Sequence, residues 1–169
     1  MLRAAIASGF GLSLALCGVV RAQWTVQVLH PAGVTGASNI EGMGGGQQVG
    51  TVGGHASLWS GTAGSWVDLN PAGVTLSNGL GVGGGQQVGW ASVSGSLRAS
   101  LWTGTAASWV ILHPAQVPGV DRSFAYGADG VQQVGYASVS GELHAALWTG
   151  SAGSFVDLDP PGMSPSIAN

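Results

Sequence analysis

The sequence predicts an all-β repeat fold, an incomplete β-propeller of about three four-stranded blades plus an extra N-terminal strand. Three observations carry this. Short landmarks recur in a fixed order every 39 to 46 residues. Each block is four to eight residues long, rich in Val, Trp and Leu, and bounded by Gly, Ser and Thr. Glycine supplies 31 of the 169 residues, which suits strands crowded towards a common axis, where there is little room for Cβ atoms. A period of about 40 to 46 residues belongs to propellers or helical arrays. Helical arrays need Ala, Leu, Glu and Lys at 3.6-residue spacing, and this chain has no Lys at all.

The landmarks define the units. Gln47-Gln48-Val49-Gly50, Gln86-Gln87-Val88-Gly89 and Gln132-Gln133-Val134-Gly135 are 39 and 46 residues apart, and Trp59, Trp102 and Trp148 are 43 and 46 apart. A third block runs Trp66 to Pro71, Trp109 to Pro114 and Phe155 to Pro160. The units therefore span about 32–71, 72–114 and 115–160.

Within each unit the first strand is a Gly-rich stretch near 39–44, 78–83 and 124–129. The second runs from the Gln pair to about Val52, Val93 and Val139. The third runs from His55, Arg98 or His144 through the Trp and one residue beyond. Gly53-Gly54, Ser94-Gly95 and Ser140-Gly141 are turn dipeptides joining the second strand to the third. The fourth strand is the aromatic-Val-x-Leu block, in which Val67 and Leu69 make one face apolar and Pro71 ends the pairing.

The chain opens on a fourth-strand-like segment, Trp24 to Pro31, and Pro160 to Ser166 parallels Pro71 to Ser77. Closed propellers have 4–8 blades. About three blades therefore imply a truncated member of a longer repeat family, or a homo-oligomer that completes the ring.

Composition and charge bound the function. Charged residues make up 7% of the chain and hydrophobic residues 45%, a balance unlike that of disordered chains. A net charge of −3 offers no cationic field for nucleic acid or anionic lipid. Residues 1–22 read as a secretory signal peptide: Arg3 at the start, an apolar run over 4–20, and Val20-Arg21-Ala22 as the cleavage site. An uncleaved anchor is the alternative, at the short limit for spanning a bilayer. No other membrane association is expected. Cleavage leaves a repeat domain of residues 23–169, without Cys17, the only cysteine, and with a net charge of −5. An exported chain without thiols must rely on sheet hydrogen bonds and buried apolar surface. The expected location is secreted, periplasmic or at the cell exterior.

The pairs Trp59/Trp66, Trp102/Trp109 and Trp148/Phe155, each with six residues between, follow a Gly-ending hydrophobic strand and resemble the kelch repeat. His55-Ala56-Ser57-Leu58-Trp59 and His144-Ala145-Ala146-Leu147-Trp148 are similar to bacterial extracellular repeats of the HAF type, with Arg98 in place of the His in the middle copy. The resemblance covers residues 24–169. It implies a secreted, kelch-like propeller repeat with no assigned catalytic residues.

The chemistry-bearing candidates follow from what breaks the repeat. His30 and His113, like His55 and His144, occupy equivalent positions, which sets them apart in space and predicts no metal site. Asp68 and Asp157 are also equivalent, so a glycosidase pair at about 5–9.5 Å is not expected. There is no Gly-Lys-Ser/Thr phosphate loop and no Gly-x-Ser-x-Gly nucleophile elbow, and no cofactor is implied. Asp121, Arg122, Tyr126 and Asp129 form the one charged cluster, in the insertion of the third unit; a solvated surface is the leading reading there and a functional loop the alternative, since variable loops carry function more often than scaffold does. Trp90 and Tyr136 replace Thr51 of the first unit and are candidates for ligand stacking. Gly50, Gly89, Gly135, Trp59, Trp102, Trp148, Trp66, Trp109 and Phe155 are assigned to the scaffold.

The sequence thus predicts no enzyme, but a non-catalytic structural or binding protein whose partner is an extracellular protein or a glycan. The alternative is a carbohydrate-binding or carbohydrate-active protein.

Overall fold

The computed structural model describes residues 25–160 and 165–168. The signal-peptide reading, Trp24 and Cys17 lie outside them. Twelve strands form three four-stranded antiparallel sheets, each an up-and-down meander in chain order. The first sheet is β1 (Ser38–Gly44), β2 (Gln47–Val52), β3 (His55–Trp59) and β4 (Val67–Asp68). The second is β5 (Ser77–Gly83), β6 (Gln86–Val93), β7 (Ser96–Trp102) and β8 (Val110–Ile111). The third is β9 (Val120–Ala128), β10 (Gln133–Val139), β11 (Glu142–Trp148) and β12 (Val156–Asp157). The all-β class and the four strands per unit agree with the sequence reading. The described residues form no closed barrel.

The hairpins follow from local chemistry. Type I′ turns need positive φ at both central residues, because their twist matches that of the strands. Gly53 and Gly54 (59° and 88°), Ser94 and Gly95 (52° and 82°), and Ser140 and Gly141 (54° and 89°) meet that demand. The two serines are the only non-glycine residues with positive φ among those described.

Three elements differ from the sequence reading. The fourth strand is only two residues long, because a 3₁₀ turn (Ala63–Ser65, Ala106–Ser108, Ala152–Ser154) precedes it. The Ser closing that turn takes the backbone N–H of Ser60, Thr103 or Thr149 on its Oγ at 2.8 Å. The extra N-terminal strand is not formed: residues 25–29 carry no strand pairing, and Val26 and Val28 are exposed. A fourth strand pairs with a third strand, and the described residues offer none there. The insertion of the third unit forms no long loop: turns at 115–119 absorb it and lead straight into the nine-residue β9.

Successive sheets stack through equivalent seams. β5 packs against β1, β2 and β3, and β9 against β5, β6 and β7. The first seam buries Val49, Ala56, Leu58 and Leu69 of the first sheet with Trp102, backed by Val82 and Trp109 of the second. The second seam buries Val88, Ala99, Leu101 and Leu112 with Ala125, Ala146 and Trp148, backed by Phe155. Trp59, Trp102 and Trp148 are all fully buried.

Polar bonds repeat with the same period. Ala56 N–H donates to Ser77 Oγ (2.9 Å) and Ala99 N–H to Ser123 Oγ (2.9 Å), each across a seam. The second Gln of each pair accepts from the loop after the Trp, through Gly61, Gly104 or Gly150 N–H. It also donates to the first Gln of the preceding sheet: Gln87 to Gln47 (3.1 Å) and Gln133 to Gln86 (2.7 Å). Buried polar groups must be paired, so these amides fix the register of one sheet on the next.

The glycines answer to close backbone approach. A Cβ on Gly42 or Gly44 would lie 2.7 Å from the carbonyl oxygen of Leu80 or Val82, which puts the first strands of adjacent sheets in direct backbone contact. Each first strand also carries a β-bulge, at Glu41, Leu80 and Tyr126, where pairing steps from Ile40 to Gly42, Gly79 to Gly81 and Ala125 to Gly127. Opposite the bulge stand Gly50, Gly89 and Gly135. A Cβ there would overlap the carbonyl oxygen of Asn39, Asn78 or Phe124.

The aromatic at the start of the fourth block is chosen together with its neighbour on the third strand. Trp66 Nε1 donates to Ser57 Oγ and Trp109 Nε1 to Ser100 Oγ, both at 3.0 Å. In the third unit Phe155 has no N–H to donate, and Ala146 stands where the serine would be.

Candidate functional site

The bulges govern which side chains meet. A bulge adds one residue to one strand and re-aims the side chains that follow it. In the first sheet the residues around it are polar: Asn39 Nδ2 donates to Glu41 Oε1 at 2.9 Å, and Thr51 lies on the next strand. The equivalent residues of the second sheet are Asn78, Leu80 and Trp90, and those of the third are Phe124, Tyr126 and Tyr136.

Trp90, Phe124, Tyr126 and Tyr136 come together at the junction of the second and third sheets. Phe124 meets Trp90 edge to face at 6.4 Å, and lies 4.9 Å from Tyr136 and 6.5 Å from Tyr126 between ring centroids. Tyr126 and Tyr136 are 5.9 Å apart. All four rings are half-buried and stand outside both apolar seam clusters. Burial, and then the neighbouring Tyr136, push the Tyr126 phenol above its ordinary pKa, so it stays protonated and able to donate. Asn78, paired with Trp90 across the strands, has a buried Oδ1 without a partner among the described residues.

The repeat pattern does not itself demand rings, because Asn39, Glu41 and Thr51 stand at the equivalent places in the first sheet. What the arrangement offers is apolar ring surface beside two phenol hydroxyls, with no charged side chain in the group. Such a surface can take a ligand with a flat apolar face and peripheral hydroxyls.

The other predicted site residues do not join it. Asp121, Arg122 and Asp129 are not one cluster: they sit at opposite ends of β9, about 25 Å apart at about 3.3 Å per residue. Asp121 and Arg122 are exposed and line a groove of about 310 Å³ with Gly95, Ser96 and Leu97. Asp129 is exposed, and its Oδ1 accepts the N–H of Gln132 (2.7 Å) and Val131 (2.8 Å), which hold its carboxyl below the usual range and fix the β9–β10 turn. Tyr126 belongs with the aromatic group rather than with these charges.

The histidines and aspartates pair within their own sheets. His55 Nδ1 lies 3.0 Å from Asp68 Oδ2, and His144 Nδ1 lies 2.8 Å from Asp157 Oδ2. In the middle sheet Arg98 and Ile111 replace both partners, so the pair is kept or lost as a unit. His113 is buried, with Nδ1 2.8 Å from Ser123 Oγ; burial, then Arg98, lower its pKa and favour the neutral ring. Its equivalent, Asn70, accepts from Ser77 Oγ through Oδ1 (2.6 Å). His113 and Asn70 thus brace the seams, while the two His–Asp pairs brace their own sheets. Among the described residues no three His, Cys, Asp or Glu side chains gather in a set that could hold a metal ion, and no helix is long and apolar enough to cross a membrane.

Phe124 and Leu80 were not singled out in the sequence. The signal was present: both break the Asn39 and Glu41 pattern of the first unit. No protein-family model, curated protein or solved structure matches the chain.

Proposed function

We propose that the chain is an exported, non-catalytic repeat protein of the kelch-like propeller kind, resembling HAF-type extracellular repeats, which acts at the cell exterior by binding or as structure. The observation that carries the binding role is the aromatic group of Trp90, Phe124, Tyr126 and Tyr136. It is half-exposed, and the equivalent places of the first sheet hold Asn, Glu and Thr. Inner strands in backbone contact and sheets stacked by the same bonds support the propeller reading. Support for a non-catalytic role comes from the carboxylates, since Asp68 and Asp157 each serve a histidine of their own sheet.

The ring surface also favours a second, narrower reading: carbohydrate as the ligand, with sugar C–H faces against the rings and hydroxyls towards Tyr126 and Tyr136. Trp90→Ala tests it on a glycan array. The expected result is at least tenfold weaker retention, about 1.4 kcal/mol, with an almost unchanged melting temperature. Retention that survives the substitution, or none by the parent protein, would reject carbohydrate as the ligand of this surface.

A further inference from the structure

The two internal seams leave one half-seam open at each end of the stack. Leu69 and Leu112 are fully buried beneath the following sheet, whereas their equivalent Leu158 is 45% exposed. Gln47 and Gln86 each accept an amide from the following sheet, whereas their equivalent Gln132 is exposed and accepts from no side chain among the described residues. At the other end Met43, equivalent to the seam residue Val82, is 79% exposed. Gln48, equivalent to the donors Gln87 and Gln133, donates among the described residues only to Gly46 O of its own turn.

The open face already holds the beginning of a third seam. Ala145 N–H donates to Ser166 Oγ (2.8 Å), as Ala56 and Ala99 donate to Ser77 and Ser123. Ser166 N–H reaches Leu143 O (2.7 Å) and Ala168 N–H reaches Gly135 O (3.1 Å). Residues 165–168 thus occupy the seat of a first strand, and among the described residues nothing else covers the face.

We propose that the open face of the third sheet is an interface for a second copy of this chain, whose first sheet docks head to tail. The occupant follows from continuity with the internal seams. A second copy brings Gln48 as the missing donor for Gln132 and Met43 as the missing apolar contact, from a sheet of the same pitch and pattern. Two features keep the joint weaker than the internal ones. Residues 165–168 must leave their seat. Ile40 also stands where Gly79 passes Val49 and Gly50 with a Cβ clearance of only 3.1 Å. Such a contact is heterologous, so it closes into a ring or propagates. Reciprocal docking of two copies gives six sheets, within the range of closed propellers.

The test is sedimentation velocity of the full chain over a concentration series, with three variants whose circular dichroism is checked against the parent. The parent is expected to associate with concentration. Ser166→Pro, which removes both bonds made by Ser166 and leaves only that of Ala168, is expected to tighten association at least tenfold by freeing the seat. Leu158→Asp is expected to weaken it at least tenfold. Should that variant fail to fold, Gln132→Ala on the exposed ladder end gives the same reading without touching apolar packing. A parent and Ser166→Pro that both stay monomeric up to about 1 mM would overturn the proposal. So would association that ignores both Leu158→Asp and Gln132→Ala.

Discussion

Gly89→Ala is expected to destabilise the fold by about 3 kcal/mol, lowering the melting temperature by roughly 10 °C. The single added carbon would overlap the Asn78 carbonyl oxygen and crowd Gly79 Cα at 3.1 Å. Both are backbone atoms held by the β5–β6 ladder and by the seam to the first sheet, so nothing nearby can swing away. Gly50 and Gly135 stand in the same relation to Asn39 and Phe124, and the same substitution should cost as much there. Gly153→Ala is the control. A Cβ on Gly153 meets nothing within 4 Å, and the change should stay within about 0.5 kcal/mol. Thermal and urea unfolding of the four variants checks this. Equal stability of Gly89→Ala and Gly153→Ala would show that the bulge-facing glycines are not where the strands crowd.

Trp102→Ala should be the most damaging side-chain truncation, costing about 3–5 kcal/mol, a large share of the 5–15 kcal/mol that holds a domain of this size together. Trp102 is fully buried and belongs to the cluster that joins the first sheet to the second. Truncating it opens a cavity at a seam rather than at the periphery. Trp148→Ala should behave alike at the second seam. Trp90→Ala is the internal comparison: the same chemistry removed from a half-buried place outside both clusters should cost far less. Urea unfolding gives the three values, and a Trp102→Ala protein as stable as Trp90→Ala would contradict the seam assignment.

The legible parts of the fold were those set by local chemistry and by copying. Ser94-Gly95 and Ser140-Gly141 announce hairpins because few residues tolerate their φ values, and the Gln and Trp landmarks give the period directly. Less legible were features that depend on what a segment pairs with. Val26 and Val28 have the pattern of a fourth strand but no third strand beside them, and the fourth strands shorten because the Ser65, Ser108 and Ser154 hydroxyls draw the chain into a 3₁₀ turn first.

The site was half legible. Trp90 and Tyr136 stood out as departures from Thr51, but placing Phe124 and Tyr126 beside them needs the register that sets Phe124 opposite Tyr136 and the junction that brings β9 to Trp90, neither of which a single strand's pattern carries. Asp121 and Asp129 are near in sequence but stand apart, because an extended strand carries them to its opposite ends. One usable signal went unread: the copies change in pairs. Trp66 with Ser57 and Trp109 with Ser100 give way to Phe155 with Ala146. His55 with Asp68 and His144 with Asp157 give way to Arg98 with Ile111. Within a single repetitive chain, such paired replacements report contact.

The central claim is that one four-stranded motif is copied three times and stacked by equivalent seams, so most side chains answer to the scaffold. The most direct measurement is a set of nuclear Overhauser contacts from the tryptophan rings in isotope-labelled protein. The account predicts contacts from the Trp102 ring to the Val49, Leu58 and Leu69 methyl groups, and an equivalent set from Trp148 to Val88, Leu101 and Leu112. Rings that contact only residues of their own unit, or a Trp148 set unlike that of Trp102, would contradict it.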